Sequence, residues 1–246
     1  MKHIFGSPVG TSKFSTLGGM EKEFLAIQNR LRGQVVQTDQ FKTDSISLVA
    51  GVDLAYWNGE DSEYAVCVIA VIDFHTHKMV EFQSTFDRVE IPYMPGFLAF
   101  RELPLFEKTV KKLTNKPDLF MFDGNGVLHP RQMGIATHAS FSLDVPTIGV
   151  AKTFYRVSDD ASYTEPGNNS GDFTDIVHDG VVLGRAVRSR PNVKPIFVSV
   201  GNRISLETAT QLVMTLVDKD SRIPVPTRYA DILTHQRRTS LKSGLD

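Results

Sequence analysis

The sequence predicts an α/β domain built on one mixed central sheet, with three meandering antiparallel strands, then parallel strands, and helices that flank the sheet. Three strand candidates between residues 45 and 86 are joined by short polar connections. Helix and strand candidates then alternate from residue 97 to residue 217. No internal repeat and no long linker interrupts this order, so residues 1–246 are expected to form a single domain.

The first half of the chain predicts one helix and an antiparallel meander. Residues 18–32 place apolar side chains at helical spacing, which indicates an amphipathic helix. The strand candidates that follow are rich in apolar residues and are separated by short polar turns. They are Ser45–Tyr56, Tyr64–Phe74 and Lys78–Phe86.

The second half alternates between helices and short strands. A helix over Phe97–Leu113 contains Pro104, which lacks an amide donor and is expected to kink the helix or to begin a second segment. A strand, a helix and another strand follow, which implies a right-handed crossover and parallel pairing. The predicted elements are strands Leu119–Phe122, Thr147–Ala151, Gly180–Val187 and Ile196–Val200 and helices Arg131–Leu143 and Ser205–Val217. This order is typical of an RNase H-like domain.

Two segments are predicted to lie outside the regular elements. Residues 159–172 are rich in Asp, Ser, Asn and Gly, which indicates a surface loop. Residues 235–246 include several cations and are expected to form a flexible basic tail.

Composition limits the class of protein. The hydrophobic fraction of 41% permits a sizeable core, and the apolar runs are too short to span a bilayer. No signal pattern opens the chain, and the single cysteine, Cys67, cannot form an internal disulfide. We therefore expect a cytoplasmic protein without a membrane partner. We also expect it to be a monomer. The net charge of −1 argues against a nucleic-acid partner unless positive charge is concentrated locally, as it is in 108–116 and 237–242.

Three carboxylates occupy positions where a charge is costly. Asp53 interrupts a strand that is otherwise almost free of charge, and Glu102 shares a helical stripe with Leu98 and Phe106. Asp123 directly follows a buried strand and precedes a Gly-x-Gly turn. Each has an ordinary alternative: a strand end that faces water, a side chain that reaches solvent or pairs with a nearby cation, and simple turn chemistry.

The position of Asp123 favours a functional interpretation. Ligands bind beyond the carboxyl ends of parallel strands, where Asp123 lies and where Lys152 follows the next strand. Carboxylate oxygens suit Mg²⁺ or Mn²⁺ rather than zinc, and like charges held close together repel unless a cation lies between them. Mg²⁺ keeps several waters, one of which can be activated. The residues therefore predict metal-dependent hydrolysis of a phosphodiester.

Five motifs, taken in order, resemble those of the endonuclease V family. They are Gly51–Tyr56, Pro92–Gly96, Phe100–Glu102, Asp123–Arg131 and Gly149–Lys152, within a match that runs from about Phe24 to Thr234. The resemblance implies an RNase H-like fold and an endonuclease that requires Mg²⁺, with Mn²⁺ able to replace it. It also implies cleavage of the second phosphodiester bond on the 3′ side of inosine or deoxyinosine, leaving 3′-hydroxyl and 5′-phosphate ends.

The resemblance implies roles for five catalytic residues. Asp53 and Asp123 would hold the metal, and Glu102 would complete the acidic cluster. Lys152 would contact the scissile phosphate or stabilise the charge that develops on it. His129 would lie near the phosphate or the attacking water.

The resemblance also implies a wedge and a base pocket. Pro92 and Tyr93 belong to the proposed wedge, in which the tyrosine would stack where a flipped purine has left the helix. The alternative is a rigid turn, since two prolines and a glycine need no ligand to explain them, and the residues alone favour this alternative. Other residues match positions that line the base pocket, where a backbone amide can approach a base edge. They are Gly96, Leu98, Gly124, Gly126, Gly134 and Ile135.

Two residues near these motifs have open roles. Asn125 stands where the family's Gly-x-Gly motif varies, and its amide is a candidate contact to a base or a phosphate. Asp231 aligns with a family position near the site that carries Asp or His. The alternative for Asp231 is a carboxylate at a helix N-terminus, where the helix dipole favours it.

Three hypotheses about function follow. The first is hydrolysis beside inosine, in the repair or processing of deaminated adenine. The second is an RNase H-like nuclease with another target, such as a junction or an RNA–DNA hybrid. The third is a reader of deaminated bases that does not cleave, against which the intact acidic trio argues. The sequence leaves DNA and RNA equally open as substrates.

Overall fold

An eight-stranded mixed sheet forms the centre of the protein in a computed structural model that describes residues 17–244. The strands are β1 (Leu48–Asn58), β2 (Glu63–Asp73), β3 (Met79–Arg88), β4 (Leu119–Asp123), β5 (Thr147–Ala151), β6 (Phe173–His178), β7 (Val181–Val187) and β8 (Ile196–Asn202). Their order in the sheet is β3-β2-β1-β4-β5-β8-β7-β6. The predicted antiparallel meander of β1 to β3 and the predicted parallel pairing of β4 with β5 are confirmed. β1 also pairs in parallel with β4. Beyond β5 the sheet becomes antiparallel again.

Helices cover both faces of this sheet. They are α1 (Leu17–Arg32), α2 (Leu98–Val110), α3 (Ile135–Ala139), α4 (Leu206–Thr215) and α5 (Val225–Ser243). On one face, Leu103 of α2 packs in a cluster with Val52 and Phe122. On the other, Ala230 of α5 packs against Ile72 of β2. The carboxyl end of β4 therefore lies between helices that approach from opposite faces.

The proline in α2 does not divide the helix. α2 runs from Leu98 through Pro104 to Val110, so no second segment begins at the proline, and the helix ends before the predicted Leu113. Proline removes one amide bond from the helix interior. Leu103 and Phe106 are fully buried on either side of it, and their packing offsets that loss.

The predicted helix Arg131–Leu143 is confirmed from Ile135 to Ser142 and is wrong for residues 131–134. Only α3 and a 3-10 turn over Ser140–Ser142 are helical. Gln132 has a φ of +55°, and the amide of the extended residue Gly134 donates to the Gly126 carbonyl at 3.0 Å. These backbone contacts compete with helix formation, and they fold the segment back onto the end of β4.

Two elements were not predicted. β6 follows the predicted loop 159–172, which contains neither helix nor strand. α5 extends to Ser243, so the prediction of a flexible tail is wrong for residues 235–243. The helix is held in place by the burial of Val225, Ala230 and Thr234. Residues 1–16, where no signal pattern was predicted, and residues 245–246 lie outside the described range.

Cys67 lies fully buried in β2. Within residues 17–244, none of the helices combines the length and the apolar character needed to cross a bilayer.

The first testable feature is the close approach of α5 to β1 at Gly51. A Cβ there would lie 2.0 Å from the carbonyl oxygen of Pro226, so a side chain would push α5 away from the sheet. We expect Gly51→Ala to lower the free energy of unfolding by about 1–3 kcal/mol, measured by urea denaturation. The control is Gly18→Ala in α1, where a Cβ would meet nothing within 4 Å. Equal stabilities of the two variants would contradict the close approach.

Candidate active site

The register of the sheet places Asp53 and Asp123 side by side. Val52 pairs with Phe122 in the parallel β1–β4 ladder, so the next residue of each strand lies at the same level. Side chains at the same level of neighbouring strands point to the same face. β4 ends at Asp123, whereas β1 continues to Asn58. The two carboxylates therefore share one face at the carboxyl edge of β4.

Glu102 reaches the same place from α2, on the other face. Its side chain is buried, with the residue only 8% exposed, and the Tyr56 hydroxyl donates a hydrogen bond to Oε1 at 3.0 Å. Burial, together with the charges of Asp53 and Asp123, raises the pKa of Glu102 to about 8, although the hydrogen bond from Tyr56 opposes the shift. The alternative in which Glu102 reaches solvent is wrong. The structure thus brings the three predicted carboxylates within electrostatic reach of one another.

The two aspartates are also difficult to ionise. Burial, together with the charge of Asp123, raises the pKa of Asp53 to about 7, although the charge of Lys152 opposes the shift. Asp53 is 8% exposed, which excludes the alternative of a strand end that faces water. Burial raises the pKa of Asp123 as well, although a bond from Lys152 opposes the shift. Crowded, buried carboxylates of this kind favour either protonation or a bound cation.

Lys152 neutralises part of the negative charge of the buried carboxylates. It follows β5 directly, and its Nζ lies 2.6 Å from Asp123 Oδ2 and 2.7 Å from Asp231 Oδ1. Burial alone would lower the pKa of Lys152, but its bonds to the two carboxylates outweigh this and raise it. The side chain is therefore protonated, and it links β4, β5 and α5 around the acidic group.

α5 adds two possible metal ligands to the group. Ligand atoms of Asp53, Asp231 and His235 lie within 4.8 Å of one another. Asp231 lies beyond the first turn of α5, which excludes the alternative of a carboxylate at the helix N-terminus. His235 was not predicted, although its i,i+4 spacing from Asp231 was a usable signal. Two carboxylates and an imidazole, with Asp123 close by, are a donor set that fits a divalent cation.

His129 contacts the backbone of the loop after β4 and the ring of Tyr155. Its Nδ1 accepts hydrogen bonds from the backbone amides of Arg131 at 3.2 Å and Met133 at 3.3 Å. Its ring stacks on Tyr155, with centroids 6.1 Å apart and planes at 5°. Burial lowers the pKa of His129 to about 4, so the ring is neutral. These contacts hold the loop after β4, and the predicted role beside the phosphate stays a prediction.

The predicted wedge is an anchored loop with an exposed tip. Tyr93 is 66% exposed, whereas the next residue, Met94, is buried against Phe97 in a small aromatic cluster. The Arg131 guanidinium donates to the Gly96 carbonyl and lies 4.2 Å from the Phe97 ring centroid. Pro92 is also exposed. A loop that is anchored at Met94 and Gly96 and exposes the Tyr93 ring at its tip is suited to insertion into a nucleic-acid strand.

The predicted pocket residues form a tightly packed backbone turn. Gly124 has a φ of +149°, a conformation that favours glycine, and a Cβ there would lie 2.8 Å from Ile135 Cγ2. A Cβ on Gly134 would lie 2.3 Å from the Asn125 carbonyl oxygen. The side-chain Oδ1 of Asn125 is buried and accepts no hydrogen bond from the described residues. Leu98, at the start of α2, is 39% exposed.

Comparison with known proteins identifies the family. The family model described as endonuclease V matches residues 29–232. The chain is 49% identical over 223 residues to an endonuclease V of Bacillus thuringiensis, and the match spans 91% of this chain and 94% of that one. The chain belongs to the endonuclease V family. As a member, it is a phosphodiester hydrolase.

Solved structures of endonuclease V share this fold. The Bacillus subtilis protein is 46% identical and superimposes with a TM-score of 0.88 over 91% of this chain and 94% of that one. The Ciona intestinalis protein is 30% identical, with a TM-score of 0.80 over 90% and 99% of the two chains. That structure is a complex with a 24mer DNA that contains an inosine followed by a ribo-adenosine.

The raised pKa values make a testable link between pH, metal and stability. Without metal, the pKa values of Asp53 and Glu102 are about 7 and about 8, above their ordinary values of 3.8 and 4.5. At pH values between the ordinary and the raised pKa values, the folded protein therefore binds more protons than the unfolded chain. Its free energy of unfolding falls as the pH rises through this range. Metal binding requires ionised carboxylates, so we expect the gain in Tm on adding Mg²⁺ to be larger at pH 8 than at pH 5.5.

The control for this measurement is Asp53→Asn, which removes one of the titrating groups. In EDTA, the Tm of this variant should decrease less steeply with rising pH than the Tm of the unmodified protein. Added Mg²⁺ should raise the Tm of the variant by a smaller amount. A gain from Mg²⁺ that is the same at both pH values, or the same in the variant, would contradict the assignment.

Proposed function

We propose that this endonuclease V family member requires Mg²⁺, or Mn²⁺ in its place, and cleaves the second phosphodiester bond on the 3′ side of inosine or deoxyinosine. The products would carry 3′-hydroxyl and 5′-phosphate ends. The observation that carries the proposal is the convergence of Asp53, Glu102 and Asp123 on one edge of the sheet. The inosine-containing DNA bound by the Ciona intestinalis relative supports the choice of substrate.

The acidic group is the proposed metal site. Asp53 and Asp123 lie at the same level on adjacent strands and are the proposed direct ligands, with Glu102 completing the group from α2. Asp231 and His235 are close enough to Asp53 to contribute from α5, which covers the face of the sheet opposite to α2. A bound Mg²⁺ would activate a water molecule and neutralise negative charge on the phosphate.

Lys152 is the proposed electrostatic partner of the phosphate. Its ammonium group is protonated, and its side chain remains about one-third exposed, so a phosphate oxygen can approach it. Asp123 and Asp231 hold the ammonium in place from two sides. A fixed positive charge stabilises the charge that develops on the phosphate at no cost of reorganisation.

The wedge and the turn after β4 are proposed to select the base. Tyr93 would stack in the strand while the inosine base turns outward toward Gly124, Gly126 and Ile135. Hypoxanthine carries a hydrogen-bond donor at N1, where adenine has a lone pair. Asn125 Oδ1, which has no donor among residues 17–244, is available to accept from N1. The remaining proposed pocket residues are Pro92, Gly96, Leu98 and Gly134.

The proposed setting is the repair or processing of deaminated adenine in DNA, RNA or both. The proposed location is the cytoplasm, in keeping with one buried cysteine. We propose that the protein acts as a monomer.

The test is cleavage of a strand that contains one inosine, compared with the same strand containing adenine. We expect Mg²⁺-dependent cleavage of the inosine strand alone. Asp53→Asn and Asp123→Asn should each lower kcat by about 10²-fold or more, because each removes charge from the metal site. The control is Asp44→Asn, an exposed aspartate near the opposite end of β1. Full activity in either site variant, or equal cleavage of both strands, would overturn the proposal.

A further inference from the structure

An open cleft of about 530 Å³ lies between the end of β1 and the C-terminal half of α5. It adjoins the acidic group through Tyr56, which bonds to Glu102. None of the described residues that line it is acidic. They are Tyr56, Trp57, Asn58, Arg238, Thr239, Lys242 and Ser243. The mechanism proposed above gives this surface no role.

One stripe of α5 connects the acidic group to the cleft. Asp231, His235, Arg238 and Lys242 follow the four-three-four spacing that places side chains on one side of a helix. At about 1.5 Å per residue, the stripe is about 16 Å long. A nucleic-acid strand in a duplex rises about 3.4 Å per nucleotide, so the stripe can accompany roughly four or five nucleotides.

The two cations in the cleft are available to bind anions. Neither the Arg238 side chain nor the Lys242 side chain makes a hydrogen bond or an ion pair with another residue in the range 17–244. By contrast, Lys108 and Arg203 on the same molecule are each paired with an aspartate. In a chain with a net charge of −1, two such cations next to a phosphodiesterase site form a local positive surface.

Trp57 gives the cleft an aromatic wall. It follows Asp53 by four positions on β1, and alternation places both side chains on the face that α5 covers. Like Leu233 and Leu241 of α5, Trp57 packs against the buried residues Ala55, Val66 and Val68. Its ring stacks on Tyr64, with centroids 5.7 Å apart. Cations beside an aromatic ring are typical of grooves that bind a single strand without reading its sequence.

The cleft and the proposed base pocket lie on opposite sides of the acidic group. Gly124 and Ile135 lie toward β5, and there Tyr93 of the wedge interacts electrostatically with Tyr155. The cleft lies at the end of β1, on the other side of β4. Because the proposed cut is on the 3′ side of inosine, a strand that runs from the pocket past the carboxylates would enter the cleft with its 3′ portion.

We propose that this cleft binds the nucleotides on the 3′ side of the cleaved bond. Arg238 and Lys242 contact successive phosphates, and Trp57 contacts a base or a sugar. The direction of the strand rests on the proposed function. The binding itself does not require cleavage and is tested without metal.

Tryptophan fluorescence reports binding of a strand in the cleft directly, because Trp57 is the only tryptophan in the chain. In EDTA, the full-length protein is titrated with a single-stranded inosine DNA and with two shortened forms of it. We expect the full strand and the form shortened on the 5′ side to quench Trp57 fluorescence, and the form that ends at the cut to leave it unchanged. Quenching by the form that ends at the cut, or no quenching by the full strand, would overturn the proposal.

The charge of the cleft is tested by the salt dependence of binding. The double variant of Arg238→Ala and Lys242→Ala should bind the full strand more weakly in fluorescence anisotropy. The slope of log K against log salt should fall by about 1.4, because each phosphate contact on a single strand contributes about 0.7. The charge-preserving double variant of Arg238→Lys and Lys242→Arg should keep the slope of the unmodified protein.

The matched control removes the same charge elsewhere. Lys111 and Lys116 are exposed and precede β4, at the end of that strand opposite to Asp123. The double variant of Lys111→Ala and Lys116→Ala should bind like the unmodified protein. Equal weakening in both alanine pairs, or none in the cleft pair, would overturn the proposal. Failure of the unmodified protein to cleave the inosine strand would instead count against the proposed function, and it would leave these binding differences readable.

Discussion

The burial of several carboxylates close together, with the repulsion between them, is the constraint on which the rest of the site depends. Asp53, Glu102 and Asp123 are brought together from two strands and a helix, and each has a pKa above its ordinary range. Lys152 offsets part of this charge through its bonds to Asp123 and Asp231. One ammonium group cannot neutralise four carboxylates. We therefore expect the binding of a divalent cation to stabilise the folded chain.

The sheet explains how residues so far apart in sequence meet. β1 extends beyond β4, so Asp53 remains inside a paired strand while Asp123 lies at a strand end. α2 covers one face and delivers Glu102, and α5 covers the other and delivers Asp231. The close approach of α5 depends on the absence of a side chain at one glycine of β1. The packing of the two helices therefore sets the geometry of the charge cluster.

The sequence predicted the parts of the site that local pattern determines. Asp53 and Asp123 stood out because each adjoins a run of strand-forming apolar residues, and Glu102 because it falls on a buried helical stripe. α5 was missed because its sequence is largely polar and its burial depends on small residues such as Ala230 that carry a weak periodic signal. The pairing of Lys152 with Asp231, 79 residues later, is a tertiary contact that no local pattern encodes. The shortened α3 reflects backbone hydrogen bonds from Gly134 and Ala136 to the preceding turn after β4, which the pattern of apolar side chains does not encode.

Crystals grown with Mn²⁺ and measured for anomalous scattering test the central claim most directly. We expect one strong anomalous peak in contact with the carboxylates of both Asp53 and Asp123. A protein that binds Mn²⁺ only elsewhere, with these two carboxylates free of the ion, would contradict the account.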